Sequence, residues 1–298
     1  MAIPEAQLNT WSNIGSQKQS SATYATVKTA LERQDAGYNG LHPEIFLQGS
    51  YGNDTNIYSE SDVDVVISYK QAWFRNLDAL PPAQVNAYNQ DHSNSVYTYP
   101  SFKLHVHEVL KKAFGADVTK GTKAFNIAAN GSRRSADVIA AFEFHQYKKY
   151  NSTLDQSFDT GIGFLNSSNQ LIFNYPKDHS ANLTAKNQAT KEKFKPTVRI
   201  FKNMRTRLVN DGVIKSETAP SYFIEGLLHN APNTLFVGNY AEIVRAVLVW
   251  LSELKNRNVL WCAHRFHALI GEGNAMCWPD ADAETFINAS IKLWNGWS

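Results

Sequence analysis

The chain has 298 residues, of which 43% are hydrophobic and 19% charged, with a formal net charge of +2. This is enough apolar chain for one large domain or two closely packed lobes, and the low charge fraction, against roughly 25% in an average soluble protein, excludes a disordered chain. So small a net charge argues against a protein that coats long nucleic acid, but it allows a basic cleft for small polyphosphates. Two cysteines, Cys262 and Cys277, are too few for a disulfide framework. No signal peptide and no run of about 18 apolar residues is present, so no membrane association is expected, and the expected location is the cytoplasm.

Residues 4–32 read as one long amphipathic helix with Leu8, Trp11, Ile14, Tyr24, Val27 and Leu31 at helical spacings and a possible kink at Gly15-Ser16. Residues 44–47 read as a short buried strand, broken by Gly49-Ser50-Tyr51-Gly52. Residues 62–69 (DVDVVISY) alternate and then become β-branched, which predicts a strand. Residues 78–100 are polar and contain proline, as in a loop or a surface helix, and residues 102–114 have helical spacing. Two more strands are predicted at 123–128 and 135–147, with Asn130-Gly131-Ser132 as the turn between them. Short strands follow at 161–165 and 170–173. From residue 191 the pattern is helical, with predicted helices at 193–209, 220–229, 240–254 and 282–293. The expectation is therefore an α+β chain.

The chemistry concentrates in Gln48-Gly49-Ser50-Tyr51-Gly52, Asn56 and Ser61-Asp62-Val63-Asp64-Val65-Val66. Side chains two apart on a strand share a face, so Asp62 and Asp64 stand side by side. Their mutual repulsion is relieved by a cation, and Mg²⁺ takes one or two carboxylates together with substrate phosphates. Gly49 and Ser50 lie 13 and 12 residues before Asp62. The glycine lets the backbone approach a phosphate, and the serine offers a hydroxyl and an N–H. A two-metal site needs a third carboxylate from another strand. Asp137 is the candidate, because it sits in the otherwise apolar Ala136-Asp137-Val138-Ile139-Ala140, where a charge needs a partner. Glu143 is the reserve. Together these features point to nucleotide transfer.

These residues, with a distant Ala-Asp-Val at 136–138, resemble the cGAS/DncV-like nucleotidyltransferases (CD-NTases) of bacterial anti-phage (CBASS) systems, and clade E in particular. The likeness extends to Pro4-Glu5-Ala6-Gln7-Leu8-Asn9-Thr10-Trp11-Ser12, Asn174-Tyr175-Pro176-Lys177, Ala185-Lys186-Asn187-Gln188, Lys195-Pro196-Thr197-Val198-Arg199-Ile200-Phe201-Lys202-Asn203, Ala219-Pro220-Ser221-Tyr222-Phe223 and Leu293-Trp294-Asn295-Gly296-Trp297. It covers nearly the whole chain and is weakest over residues 256–281. The resemblance implies a polymerase-β-like nucleotidyltransferase core, a mixed sheet with helices, over residues 1–180. It implies a helical C-terminal lobe over 181–298, with the active-site cleft between them. It further implies that two nucleoside triphosphates are condensed into a cyclic dinucleotide, with release of pyrophosphate.

By the same resemblance, Asp62, Asp64 and Asp137 hold two Mg²⁺ ions (with Mn²⁺ as a substitute), and Asp137 helps deprotonate the attacking 3′-hydroxyl. Gln48, Gly49, Ser50, Lys186, Lys202 and Ser221 belong to the nucleotide-binding set, with Lys202 and Ser221 touching the donor triphosphate. Tyr222 stacks on a base. Asn174 occupies the base pocket, where asparagine goes with uracil and serine with purines, since a carboxamide offers a donor and an acceptor. UTP and ATP are then the expected substrates, with a product such as cyclic UMP–AMP or cyclic di-UMP. A downstream effector would sense that product, with no stable nucleic-acid partner and a monomeric enzyme.

Taken alone, several of these residues have plainer readings: Asn174 as a turn residue before Tyr175-Pro176, Lys202 as a solvated helix lysine, and Tyr222 as core. Cys262, His264, His267 and Cys277 do not have a usual zinc spacing and read as packing. His105 and His107 lie off one another's face in a predicted helix. Two other readings stay open at this point. One is a nucleotidyltransferase that makes linear oligonucleotides or tails RNA; the other is a nucleotide sensor without catalysis.

Overall fold

The computed structural model describes residues 2–15, 17–58, 62–272 and 276–297. The chain forms two compact units. The sheet unit comprises Lys18–Gln48 and Asp62–Pro176; the helical unit comprises Met1–Gln17, Gly49–Ser61 and Lys177–Ser298. The border at 176/177 lies near the single boundary expected at 180/181. Two short segments before that border, residues 1–17 and 49–61, also belong to the helical unit, and no composition change marks them.

In the sheet unit, α2 (Lys18–Leu31) leads into β1 (Glu44–Leu47), which pairs antiparallel with β2 (Val63–Asn76). Helices α4 (Pro82–Asp91) and α5 (Tyr99–Phe114) follow, then β3 (Val118–Lys120), β4 (Phe125–Ile127), β5 (Ala136–Ser152), β6 (Asp155–Leu165) and β7 (Leu171–Asn174). The strand order is β1-β2-β5-β4-β3, with β6 on the far half of β5 and β7 on β6. Among the described strands of this sheet, β2 and β5 pair in parallel and the other pairs are antiparallel. Val65, Val66, Ile67, Val138 and Ala141 are buried, as expected where a parallel pair is covered on both faces. Helix α5 starts cleanly because Thr98 caps it and Pro100 sits in its first turn, where a missing N–H costs nothing.

Three strands run longer than the sequence predicts. β2 continues past Tyr69 through a bulge to Asn76, and β5 and β6 extend as a hairpin whose polar residues hide the strand period. The polar stretch 78–100 supplies α4, whose Tyr88 packs with Leu80, Tyr147 and Tyr150.

In the helical unit, α1 (Glu5–Ser12), α6 (Pro176–Ala189), α7 (Phe194–Asn210), α8 (Ser221–His229), α9 (Tyr240–Glu253) and α10 (Asp280–Asn295) share one core. A single helical turn, α3 (Gly49–Gly52), also belongs to this unit. Helix α7 runs through the middle, with Phe194, Val198, Phe201, Met204 and Leu208 all buried. Burying each such side chain is worth about 1.5–3 kcal/mol. The last four helices fall where the 3.6-residue period puts them, within about two residues at each end.

The long N-terminal helix expected at 4–32 is two helices, α1 and α2, one in each unit. Ser16 lies outside the described residues. Gly15 lies against the backbone of Ile57, where a Cβ would come within 2.8 Å of its carbonyl, and its N–H donates to the Asn56 carbonyl at 3.0 Å. Helix α1 instead serves the helical unit. Leu8 is fully buried there, and the two Glu5 carboxylate oxygens accept from the Tyr240 and Ala241 N–H groups at 3.0 and 2.7 Å, stabilising the first turn of α9. Among the described residues no helix is long and apolar enough to cross a membrane.

Candidate active site

The parallel register of β2 and β5 makes Asp64 the direct partner of Asp137. Register partners on adjacent strands present their side chains to one face, so these two carboxylates are neighbours. Asp62 precedes β2 and continues the same face two residues earlier. At the start of the pair, Val63 N–H donates to the Ser135 carbonyl at 3.0 Å, which keeps the two strands together at the Asp62 end. Asp62 is exposed, whereas Asp64 and Asp137 are half-buried.

Each outer carboxylate has a local donor. Asp62 Oδ1 accepts from Ser135 Oγ. Asp137 Oδ1 accepts from Asn126 Nδ2 at 2.6 Å, across the β4–β5 pair where these residues are in register. Burial pushes the Asp137 carboxyl above its ordinary value, and the negative charge of Asp62 pushes it further; the Asn126 hydrogen bond works in the opposite direction. The reserve candidate Glu143 lies six residues along β5 and is paired with His145 at 3.0 Å.

Among the described residues no three His, Cys, Asp or Glu side chains are gathered as a set that would hold a metal ion. Asp62 leans onto Ser135 and Asp137 onto Asn126, which keeps these like charges from converging. The donors nevertheless fit a hard divalent cation. They are all oxygen, and Asp137 bears a desolvation and repulsion cost that a cation would relieve. Magnesium keeps waters and substrate phosphates among its ligands, so it does not require a closed protein cage.

Two more predicted residues lie in the sheet unit. Gln48 follows β1, and its N–H donates to the Asp64 carbonyl at 3.0 Å, while its side-chain Oε1 is buried with no hydrogen-bond partner. Asn174 ends β7 opposite Ile162, and its carboxamide oxygen accepts from the Tyr175 N–H at 2.8 Å. That contact orients the amide and leaves the NH₂ as the end directed elsewhere.

The remaining predicted residues belong to the helical unit. Gly49 takes a φ of +65°, a conformation that glycine adopts without strain, and starts the single turn α3 with Ser50 half-buried. Ser61 lies outside the described residues. After the turn the chain dives inward: Asn53, Thr55 and Asn56 are all buried. Glu225 on α8, 2% exposed, receives the side chains of Asn53 and Thr55. It accepts from Asn53 Nδ2 at 3.1 Å, from Thr55 Oγ1 and from His179 Nε2 at 2.7 Å. Burial alone would raise the Glu225 carboxyl, but the His179 bond and charge, the charge of Lys202 and the Thr55 bond together hold it below its ordinary value.

Lys202 is completely buried and donates to the Thr55 carbonyl at 2.9 Å. Lys186 donates to the Ala231 carbonyl at 2.6 Å and to Asn233 Oδ1 at 2.9 Å, between the rings of Phe194 and Phe236. Burial and the charge of Arg265 push its ammonium down to about 8. Both ammonium groups are engaged with acceptors inside the unit. Ser221 opens α8 and is half-buried. The Tyr222 ring stacks on His179 at 4.9 Å and 21°, and burial raises its hydroxyl. Cys262 and Cys277 Sγ both lie 3.3 Å from the Ala268 carbonyl.

The sequence carried a signal for Glu225 that the motifs obscured: it is the single acid in Tyr222-Phe223-Ile224-Glu225-Gly226-Leu227-Leu228, and a charge in such a run must be paired. Asn126, between Phe125 and Ile127, gave the same kind of signal on a strand.

Comparison with known proteins follows this geometry. Residues 181–295 match the cGAS/DncV-like nucleotidyltransferase C-terminal helical domain. The chain is 33% identical over its full length to the "Cyclic UMP-AMP synthase" of Rhodothermus marinus, covering 99% of it. It is 36% identical to the "Cyclic dipurine nucleotide synthase" of Elizabethkingia meningoseptica, over 73% of this chain and 74% of that one. The solved structure of the Rhodothermus marinus CdnE c-UMP-AMP synthase with Apcpp and Upnpp superposes with a TM-score of 0.88, covering 99% of this chain and 98% of that one at 33% identity.

Proposed function

This chain belongs to clade E of the cGAS/DncV-like nucleotidyltransferases, and from that premise we propose that it condenses two nucleoside triphosphates into a cyclic dinucleotide. The observation that carries the reading is the Asp64–Asp137 register on the parallel strands, with Asp62 two residues away.

Asp62, Asp64 and Asp137 are the residues that would hold divalent metal, which enzymes of this family use; we assign two Mg²⁺ ions. When bound, such ions neutralise triphosphate charge and make a 3′-hydroxyl more acidic. Asp137 accepts the proton of that hydroxyl, a role suited to a carboxyl held above its ordinary range. The 3′-oxygen bonds to the α-phosphorus of the second nucleotide, the bond to the bridging oxygen breaks, and pyrophosphate departs. Repeating the step within the linear dinucleotide closes the ring.

Gly49 and Ser50 are assigned to the phosphates, with Ser221 at the donor triphosphate. Lys202 acts there through the Gly49–Thr55 segment, since its ammonium holds the Thr55 carbonyl from beneath. Lys186 likewise supports the fold around the nucleotide set, not a phosphate directly. Tyr222 offers a ring for base stacking, worth about 1–3 kcal/mol per base. Asn174 reads the base: its NH₂ suits a uracil carbonyl, which makes UTP a substrate and cyclic UMP–AMP or cyclic di-UMP the product. Base choice differs among relatives of similar likeness, which include a UMP–AMP and a dipurine synthase, so the base is assigned from Asn174. An effector that senses the ring would complete the pathway.

The test is incubation with all four nucleoside triphosphates and Mg²⁺, followed by mass spectrometry of the products. A phosphatase-resistant dinucleotide is expected. A ladder of linear products would overturn the cyclase reading, and turnover by an Asp62→Ala/Asp64→Ala variant would overturn the site.

A further inference from the structure

A pocket of about 310 Å³ opens on the sheet unit between α5 and the β3–β4 hairpin. Its walls include Lys103, His107, Lys120, Lys123, Phe125 and Val138. Val138 alternates with Asp137 along β5, so the pocket lies on the sheet face opposite the carboxylates. Among the described residues none of the three lysines forms an ion pair with a carboxylate. Lys103 donates to the Leu165 carbonyl at 2.8 Å, and the His107 ring lies 5.2 Å from that of Phe125.

The cations are gathered against their own repulsion. Burial lowers the Lys103 ammonium, and the charge of Lys120 lowers it further. Burial, then Lys120 and Lys111, lower His107 as well, with the charge of Glu108 opposing them. A concave site with an apolar floor and unneutralised cations at its rim suits an anion with an apolar body. Its size fits one small molecule. Its shape is not the extended basic stripe along which a polymer backbone lies.

We propose that this pocket binds a small phosphorylated molecule, with the phosphate on Lys120 and Lys123 and the apolar body against Phe125 and Val138. The hairpin gives the site a route to the opposite face. It also carries Asn126, which donates to Asp137. At the hairpin turn Gly121 leaves no room for a side chain, because a Cβ there would stand 2.3 Å from Asn126 Oδ1. A phosphate that fixes Lys120 and Lys123 therefore fixes the residue that holds Asp137. This regulatory half rests on the catalytic role proposed above for Asp137; the binding half does not.

The experiment titrates adenosine monophosphate, and separately inorganic phosphate, into the full chain while NMR follows the His107 imidazole, assigned through His107→Gln. A saturable shift with an upward move of the His107 titration is expected, stronger for the nucleotide. The exposed pair Lys120→Glu/Lys123→Glu should weaken it at least about tenfold without lowering the melting temperature. The shift should persist in Asp62→Asn/Asp64→Asn, which separates this site from the catalytic one. No shift, or an undiminished shift after charge reversal, overturns the proposal. Equal affinity for inorganic phosphate overturns its apolar half. A single-stranded oligonucleotide that binds more tightly than the mononucleotide makes this a nucleic-acid surface and overturns it too.

Discussion

The sheet unit carries its carboxylates at the start of two parallel strands, with Asp62 exposed and Asp64 and Asp137 half-buried. The helical unit instead sinks Glu225, Lys202 and Lys186 out of water and satisfies each with named partners. The difference separates two uses of charge. A charge left partly in water, next to others of its own sign, is poised to bind something. A charge buried among donors and acceptors holds backbone in place, and removing one member leaves the other unpaired.

That contrast breaks first at the carboxylates. Asp62→Ala/Asp64→Ala should lower product formation by on the order of 10³-fold or more, measured by mass spectrometry, while the urea midpoint stays nearly constant. A large loss of stability would mean these acids are structural after all. The buried side should behave in the opposite way. Glu225→Ala should cost about 3–5 kcal/mol in urea unfolding, because His179, Thr55 and Asn53 lose a hydrogen-bond partner and the buried Lys202 loses a nearby opposite charge.

Lys202→Met sharpens the comparison. It keeps the volume and removes the charge, and it should destabilise by roughly 3 kcal/mol. Full stability with lost turnover would move Lys202 to the phosphate-binding side. Asn126→Ala removes the bond that lowers Asp137, so the Asp137 carboxyl should rise further and the acidic limb of the rate–pH profile should shift to higher pH. The sign for stability follows. A carboxyl raised in the folded state stabilises at pH below its unfolded pKa, and that contribution is lost as pH rises through the folded value. Asp137→Asn should thus slightly raise the melting temperature at neutral pH while abolishing turnover. The smallest effect belongs to Asn174→Ser, expected to move the base preference away from uracil by about tenfold with little change in total turnover, read by competition between labelled nucleotides. An unchanged preference removes Asn174 from the base pocket.

Much of the molecule was legible in sequence where one physical signal dominated. Helices α7 to α10 follow their 3.6-residue apolar period, and β2 follows Asp-Val-Asp-Val-Val. Helix α6 was not legible, because its buried face consists of His179, Leu183, Lys186 and Asn187, at helical spacing but with one apolar residue. A polar face buried by hydrogen bonds leaves no hydrophobic period to find. Residues 4–32 misled in the other direction. Both halves are helix-forming, and the chain leaves helix at Asn13, with Gly15 packed on the Ile57 backbone, before α2 begins.

The sequence by itself determined the carboxylate pair, the third acid on an apolar strand and the helical C-terminal half, since each is local pattern or composition. Only the tertiary structure decided that Asp64 and Asp137 are register partners, that Asn126 holds Asp137, and that Lys202 and Lys186 turn inward. Those facts depend on which strands pair and which helix faces are covered. They arise between residues far apart in the chain, where no local spacing carries the information.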